Sequence, residues 1–285
     1  MLCKAVTQVK KNIAFLMIVS DPEIARYVNE NGVDKLFVDL ETMGKEARQP
    51  GHVSWKSSHS LKDAENVRAA APEAHLLVRV NPLHTGTGDE VAAVIDTGAN
   101  SIMLPMFHSA DELTRFYDIV NDRVEIVPLI ETHGALISTP QIAKTLPLKT
   151  VHFGLNDLHL ELGYKFMFEV ISRGDLEEAC AALKDRDVLF GIGGLARARE
   201  GIVSPEYLLG EHVRLGSSAA ILSRTFHRSS ESLLEMKQNM DFAHEVAQLR
   251  AIYDDFHTKD AAGLERNRKL TVDRVNDLVQ LLEKS

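Results

Sequence analysis

Short apolar segments alternate with longer amphipathic ones along most of the chain. The apolar segments have strand length, are rich in Val, Ile, Leu and Phe, and lack polar alternation, which is typical of strands buried on both faces of a parallel sheet. The amphipathic segments between them predict helices, so the order predicts successive β-α units. The predicted strands are 13–19, 35–40, 75–80, 101–105, 124–130, 150–153, 188–192 and 212–222.

Helix boundary signals fall in the gaps between these segments. Proline follows a capping side chain, glycine follows a helix, or a short oxygen side chain precedes an acidic residue by three positions. These signals stand at Asp21-Pro22, Ser204-Pro205, Gly32, Gly98, Ser109 to Glu112 and Asp175 to Glu178. Eight strands with intervening helices, and no Gly-x-Gly-x-x-Gly turn at the start, favour a (β/α)8 TIM barrel over an open doubly wound sheet.

The last part of the chain has a helical pattern that exceeds one barrel helix. Apolar residues recur near helical spacing from about 230 to 285. We therefore predict one barrel domain over 1–285 with additional C-terminal helices. Such helices cover the barrel or dock on another subunit, and a homo-oligomer is expected.

Composition narrows the class of partner. The 285 residues are 45% hydrophobic, and 32 Lys and Arg against 41 Asp and Glu give a net charge of −9. This acidic balance argues against nucleic acid or an anionic membrane as partner and leaves small molecules. Cys3 and Cys180 are too few for a disulfide framework, and the run 13–19 is too short to span a membrane, so we expect a cytoplasmic protein.

Charged residues interrupt the apolar pattern at strand ends, where barrel enzymes carry their functional groups. Glu131 and Asp157 are 26 positions apart, about one β-α unit, which places them on adjacent strand ends. Two neighbouring carboxylates suit a hard divalent cation such as Mg²⁺ or Mn²⁺. Pairing of each carboxylate with an arginine is the alternative, and spacing alone leaves both open.

Arg79 is a permanent charge at the end of an otherwise apolar strand. Such a group must be paired or must face a ligand. Its planar fork suits a carboxylate or an enolate oxygen. A bridge to Asp39 or Glu41, which follow the second strand, is the structural alternative.

Weaker signals lie in glycine turns and in one long loop. The turn 153–157 precedes a short helix and predicts an anion site, whereas 191–194 and 214–218 indicate either phosphate binding or close packing. The loop 42–60 contains His52 and His59 and is either a lid over the site or a solvated surface loop.

Five motifs in order resemble the HpcH/HpaI aldolase and citrate lyase β-subunit family over about 33–163. They are Phe37-Val-Asp-Leu-Glu41, Leu77-Val-Arg-Val-Asn81, Gly98-Ala-Asn-Ser-Ile-Met-Leu-Pro105, Val127-Pro-Leu-Ile-Glu-Thr132 and Phe153-Gly-Leu-Asn-Asp-Leu158. The resemblance implies Mg²⁺ or Mn²⁺ on Glu131 and Asp157. It also implies substrate contacts at Arg79, Pro105, Leu155 and Asn156, and cleavage of a C–C bond next to a 2-oxo acid through an enolate.

Two positions depart from the family pattern. Thr42 follows Glu41 where the aldolases carry an acid/base histidine and the citrate lyase branch an aspartate, and Leu129 stands where the aldolases carry glutamine. We therefore assign acid/base chemistry to His52 or His59 as a hypothesis from loop position. The leading function is a metal-dependent aldolase. The alternatives are an acyl-CoA lyase, with Lys45, Arg48 and Lys56 near the nucleotide, and a non-catalytic carboxylate-binding barrel.

Overall fold

Eight parallel strands close into a barrel in the computed structural model, which describes residues 12–44, 59–227, 229–230 and 232–284. Each strand pairs with the next along the chain, and β8 pairs with β1. The (β/α)8 barrel predicted from the sequence is confirmed. The strands are β1 Ala14–Ile18, β2 Lys35–Asp39, β3 His75–Arg79, β4 Ser101–Leu104, β5 Glu125–Ile130, β6 Thr150–Phe153, β7 Leu189–Leu195 and β8 Ala219–Leu222.

Helices surround the barrel and continue after its last strand. Before β8 they are α1 Pro22–Glu30, α2 Leu61–Ala70, α3 Thr87–Asp96, α4 Ala110–Val120, α5 His133–Thr145, α6 Leu155–Glu161, α7 Glu169–Ser172, α8 Glu177–Lys184 and α9 Pro205–Leu215. After β8 they are α10 Leu233–Asn239, α11 Phe242–His257 and α12 Ala261–Leu282. The helices α11 and α12 pack on α9, so they cover the outside of the barrel. Within the described residues, no helix is long and apolar enough to cross a membrane.

Two apolar layers follow from the alternation of side chains along each strand. The larger cluster lies between strands and helices, and a smaller one fills the barrel interior with Leu16, Phe37, Leu77, Met103, Val127 and Leu129. The interior is therefore a packed core and not a pore.

The predicted start of the eighth strand, at residue 212, is wrong. Residues 212–215 form the last turn of α9, which ends at Gly216 with φ of 93°, and β8 begins only at Ala219. A buried helix and a buried strand give similar short apolar runs, so the pattern alone could not separate them. Because residues 212–215 belong to α9, Arg214 precedes β8 and lies at the opposite end of the barrel from the strand ends that carry Arg79 and Glu131. It pairs there with Glu177 and Glu211, which contradicts a phosphate site at 214–218.

Helix starts agree with the sequence in part. Asp21 and Ser109 cap α1 and α4 through their side chains as predicted. Asp175 does not cap α8, which begins at Glu177 without a side-chain cap, because the Asp175 carboxylate instead accepts a hydrogen bond from the Tyr164 hydroxyl at 3.3 Å.

Candidate active site

Arg79 lies at the carboxyl end of β3 and is held from the end of β2. Its Nε and Nη2 donate to Oδ1 and Oδ2 of Asp39, both at 2.8 Å, and Nη2 lies 3.3 Å from Oε2 of Glu41. Burial lowers the pKa of Arg79, but the Asp39 hydrogen bonds and the charges of Asp39, Glu41 and Glu131 raise it on balance. The structural pairing that the sequence left open is therefore present, with both candidate partners.

That pairing uses only one edge of the guanidinium. Among the described residues, the remaining nitrogen Nη1 donates no hydrogen bond. The Arg79 side chain is 15% exposed, whereas those of Asp39 and Glu41 are almost fully buried. Arg79 thus combines a fixed orientation with one donor group available for a substrate oxygen.

Glu131 follows β5 and is buried beside the end of β6. Its Oε1 accepts a hydrogen bond from the backbone N–H of Met106 at 3.1 Å. A Cβ added at Gly154 would lie 2.8 Å from both Cβ and Oε2 of Glu131, so only glycine leaves room for this carboxyl group. Burial raises the pKa of Glu131 to about 8; the Arg79 charge lowers it, and the negative charges of Asp157 and Glu41 raise it further.

The loop after β4 is fixed against the start of α5. The Thr132 hydroxyl donates to the Phe107 carbonyl at 2.6 Å, and Gly134 allows the His108 carbonyl to approach, since a Cβ there would clash with that oxygen. Met106 has a φ of 52°, a left-handed conformation that is rare for a side-chain-bearing residue. Sequence reasoning missed the Met106 amide, because no residue type in this loop signals that conformation.

The other predicted residues lie on the same rim or outside the described residues. Asp157 is partly buried in the first turn of α6, and the charge of Asp157 acts on Glu131. Asn156 is exposed, and the Leu155 side chain packs into the core against Gly193. Pro105 directly follows β4, whereas His52 and most of the loop 42–60 lie outside the described residues.

His59 lies beside the end of β2. Its Nδ1 accepts a hydrogen bond from the backbone N–H of Asp39 at 3.2 Å, so the neutral ring carries its proton on Nε2. Asp39 therefore joins His59 through its backbone and Arg79 through its side chain. This places the imidazole at the same end of the barrel as the charged cluster.

The cluster carries an excess of negative charge. In the part of the chain that the structure describes, the carboxyl groups of Asp39, Glu41, Glu131 and Asp157 lie near one cation, that of Arg79, and 4 − 1 leaves three negative charges when all are ionised. Within the described residues, no group of three or more His, Cys, Asp and Glu side chains is arranged to hold a metal ion. One or two carboxylates together with water or substrate oxygens are a ligand set that Mg²⁺ accepts.

Comparison with known proteins decides the family. The model of the HpcH/HpaI aldolase/citrate lyase family matches residues 13–171, more than half of the chain. The chain belongs to this family. Its members are lyases and aldolases, and the resemblance expected from the five motifs is confirmed. No individually curated protein sequence matches at a significant level.

Several solved structures have the same barrel. The HpcH/HpaI aldolase from Desulfitobacterium hafniense DCB-2 is 19% identical with a TM-score of 0.57, over 74% of this chain and 86% of that chain. The citrate lyase β subunit from M. tuberculosis, complexed with oxaloacetate and magnesium, is 15% identical with a TM-score of 0.58, over 85% and 97%. RipC from Yersinia pestis is 18% identical with a TM-score of 0.54, over 89% and 99%. These likenesses show the fold.

Proposed function

We propose that this protein is a divalent-metal-dependent carbon-carbon lyase of the aldolase type that acts on a 2-oxo acid such as pyruvate. The observation that carries the proposal is the environment of Glu131. A buried carboxyl group lies among the negative charges of Asp157 and Glu41 and faces one arginine. A cation beside Glu131 would relieve this repulsion.

The residues present fit Mg²⁺ or Mn²⁺. Glu131 and Asp157 offer hard carboxylate oxygens, which these ions prefer. Gly154 leaves space at Oε2 of Glu131 that any side chain would fill. Glu131 and Asp157 would hold the ion. When bound, the ion would act as a Lewis acid toward the carboxylate and keto oxygens of the 2-oxo acid.

Arg79 would act where negative charge develops during the reaction. When the C–C bond breaks, its electron pair passes to the 2-oxo acid fragment as an enolate, and Nη1 of Arg79 can donate to the enolate oxygen. Asp39 and Glu41 keep the guanidinium in one orientation, so little reorganisation is needed at that moment. The interaction strengthens as charge accumulates, which favours the transition state over the ground state.

Two protons must move in this reaction. In the cleavage direction one leaves the substrate hydroxyl, and another is delivered to the enolate carbon. We assign this transfer to His59 or His52, and the bond between His59 and the Asp39 amide supports His59. Pro105 and the backbone at Leu155 and Asn156 are the proposed substrate contacts on the other side of the cluster.

Calorimetry with and without the metal tests the proposal. We expect pyruvate to bind in the presence of Mg²⁺ or Mn²⁺, not in EDTA, and not to Glu131→Gln in either buffer. Glu125→Gln is the matched control, because it removes a carboxylate from the other end of the same strand, where Glu125 accepts a hydrogen bond from Thr150. Binding of pyruvate that is equal in EDTA would contradict metal dependence.

A second assay measures enolate formation without knowledge of the aldehyde. In D₂O, an enzyme that forms the enolate exchanges the methyl hydrogens of pyruvate for deuterium, which ¹H NMR follows. Acetyl-CoA as ligand tests the acyl-CoA lyase alternative, and pyruvate binding without exchange would favour a carboxylate-binding barrel.

A homo-oligomer in the cytoplasm stays a prediction. Light scattering would test the oligomeric state, and cell fractionation would test the location.

A further inference from the structure

Asn81 connects the loops that follow β2 and β3. Its Oδ1 accepts hydrogen bonds from the backbone N–H groups of Thr42 and Met43, both at 2.9 Å, and from the Thr42 hydroxyl at 3.3 Å. Its Nδ2 donates to Oε1 of Glu90 at 2.7 Å. One amide side chain therefore joins the segment after β2 to α3, which carries Glu90.

The polarity of these hydrogen bonds is fixed at every link. The Gly86 N–H donates to Nδ1 of His84 at 3.0 Å, so the neutral His84 ring carries its proton on Nε2 and donates it to Oε2 of Glu90 at 3.1 Å. Oε1 of Glu90 also accepts the backbone N–H of Asn81 at 3.1 Å. Each group in this network therefore acts either as donor or as acceptor. A side chain at position 81 that lacks the amide donor or the carbonyl acceptor would break the network.

The segment that Asn81 holds carries Glu41. The N–H of Leu40 donates to the carbonyl of Arg79 at 2.9 Å, and Asn81 then captures the two amides that follow Glu41. Glu41 is thus held on both sides in the sequence, with its carboxylate 3.3 Å from Arg79. Thr42, which replaces the acid/base residue of the family pattern, has its hydroxyl bonded to Asn81.

We propose that Asn81 is a positioning residue that acts through Glu41 on Arg79. By binding the backbone at Thr42 and Met43, it keeps the Glu41 carboxylate against the guanidinium and so keeps Nη1 of Arg79 directed at the substrate oxygen. The effect on catalysis rests on the proposed function, but the effect on the Glu41 and Arg79 geometry does not.

The test compares Asn81→Ala with Asn100→Ala. Asn100 is the matched control, because its Oδ1 accepts the Leu76 N–H at 2.8 Å at the opposite end of the barrel. In Asn81→Ala we expect faster hydrogen exchange at the amides of Thr42 and Met43 and a longer Glu41 to Arg79 distance in a crystal structure. We expect the kcat of pyruvate deuteration to fall about 10- to 100-fold with KM changed less than about threefold. Asn100→Ala should leave kcat unchanged.

A rescue pair guards against a general folding defect. In Asn81→Asp, the side-chain oxygen that accepts from the Thr42 and Met43 amides remains. The new carboxylate faces the Glu90 carboxylate and is repelled by it, so kcat should fall. Adding Glu90→Gln removes one of the two facing carboxylates and should restore part of kcat. An unchanged kcat in Asn81→Ala despite faster amide exchange would overturn the proposal, and so would a double variant no better than Asn81→Asp.

The two proposals fail in different ways. If the wild-type protein does not deuterate pyruvate, the aldolase function fails, and the crystal structure of Asn81→Ala still decides the positioning role. An unchanged Glu41 to Arg79 contact in that structure would overturn it.

Discussion

Arg79 and Asp39 face each other from neighbouring strands and share two parallel hydrogen bonds of 2.8 Å. The two residues are direct partners in the register of β2 and β3, so the backbone pairing itself sets their side chains side by side. Both groups are largely buried, and a buried charge is tolerated only with such a partner. The pair therefore compensates both buried charges, and we propose that the remaining edge of Arg79 faces the substrate.

Replacement of Arg79 by lysine should separate these two roles. A lysine keeps one positive charge near Asp39 but cannot form two parallel bonds and present a third donor at once. We expect Arg79→Lys to slow pyruvate deuteration at least about 100-fold, within the range for loss of one donor to a developing oxyanion. The measurement is kcat by ¹H NMR.

Arg173→Lys is the control for this change. Arg173 also pairs with a carboxylate, that of Glu169, but its side chain is 55% exposed and lies outside the candidate site. It should leave kcat unaltered. Equal kcat values for Arg79→Lys and the wild type would remove Arg79 from the reaction.

Gly154→Ala should weaken metal binding without replacing either proposed ligand. The new methyl group would lie 2.8 Å from Oε2 of Glu131, so this carboxyl group has to move. We expect Mn²⁺ affinity, measured by titration calorimetry, to fall at least about tenfold. Gly88→Ala is the control, because nothing lies within 4 Å of a Cβ there, and it should bind Mn²⁺ like the wild type. Unchanged affinity in Gly154→Ala would argue against an ion at Glu131.

The sequence predicts the barrel well, because the eight strands are buried on both faces and the alternation with helices is regular. It also places Arg79, Glu131 and Asp157 at one end, since each follows or ends a strand. The Met106 amide at Glu131 depends on a left-handed backbone that its residue type does not signal. The Asn81 network depends on contacts across 39 positions. Such long-range contacts leave no local pattern in the chain.

Two buried histidines should make the fold sensitive to acid. Burial lowers the pKa of His152 to about 4 and that of His212 to about 3. The charges of Lys35 and Arg79 lower the pKa of His152 further, and His152 lowers that of His212. Unfolded histidine has a pKa of about 6.5. The contribution of the two neutral histidines to the free energy of unfolding is therefore fully present above about pH 6.5. It is lost as the pH falls toward their folded-state pKa values. The loss is about 2 kcal/mol per histidine at pH 5.

His212→Asn tests this dependence. An asparagine can keep the contact that Nδ1 of His212 makes with the Ser217 hydroxyl at 2.9 Å, but it does not titrate. The difference in unfolding free energy between pH 7 and pH 5, from urea denaturation, should shrink in this variant. His244→Asn, at an exposed position of α11, should keep the wild-type difference. An unchanged slope in His212→Asn would assign the acid sensitivity to other groups.

His59 should affect proton transfer more than binding. Its Nδ1 is held by the Asp39 amide, which leaves Nε2 as the atom that carries the exchangeable proton. If it moves the proton of the reaction, His59→Ala should lower the kcat of pyruvate deuteration about 100-fold. Calorimetric binding of pyruvate with Mn²⁺ should be retained, because the proposed ligands Glu131 and Asp157 are unchanged. His133→Ala, an exposed position at the same rim, should keep full kcat. Full turnover in both His59→Ala and His52→Ala would exclude either histidine as the acid/base group and would leave the proton to water or to the substrate itself.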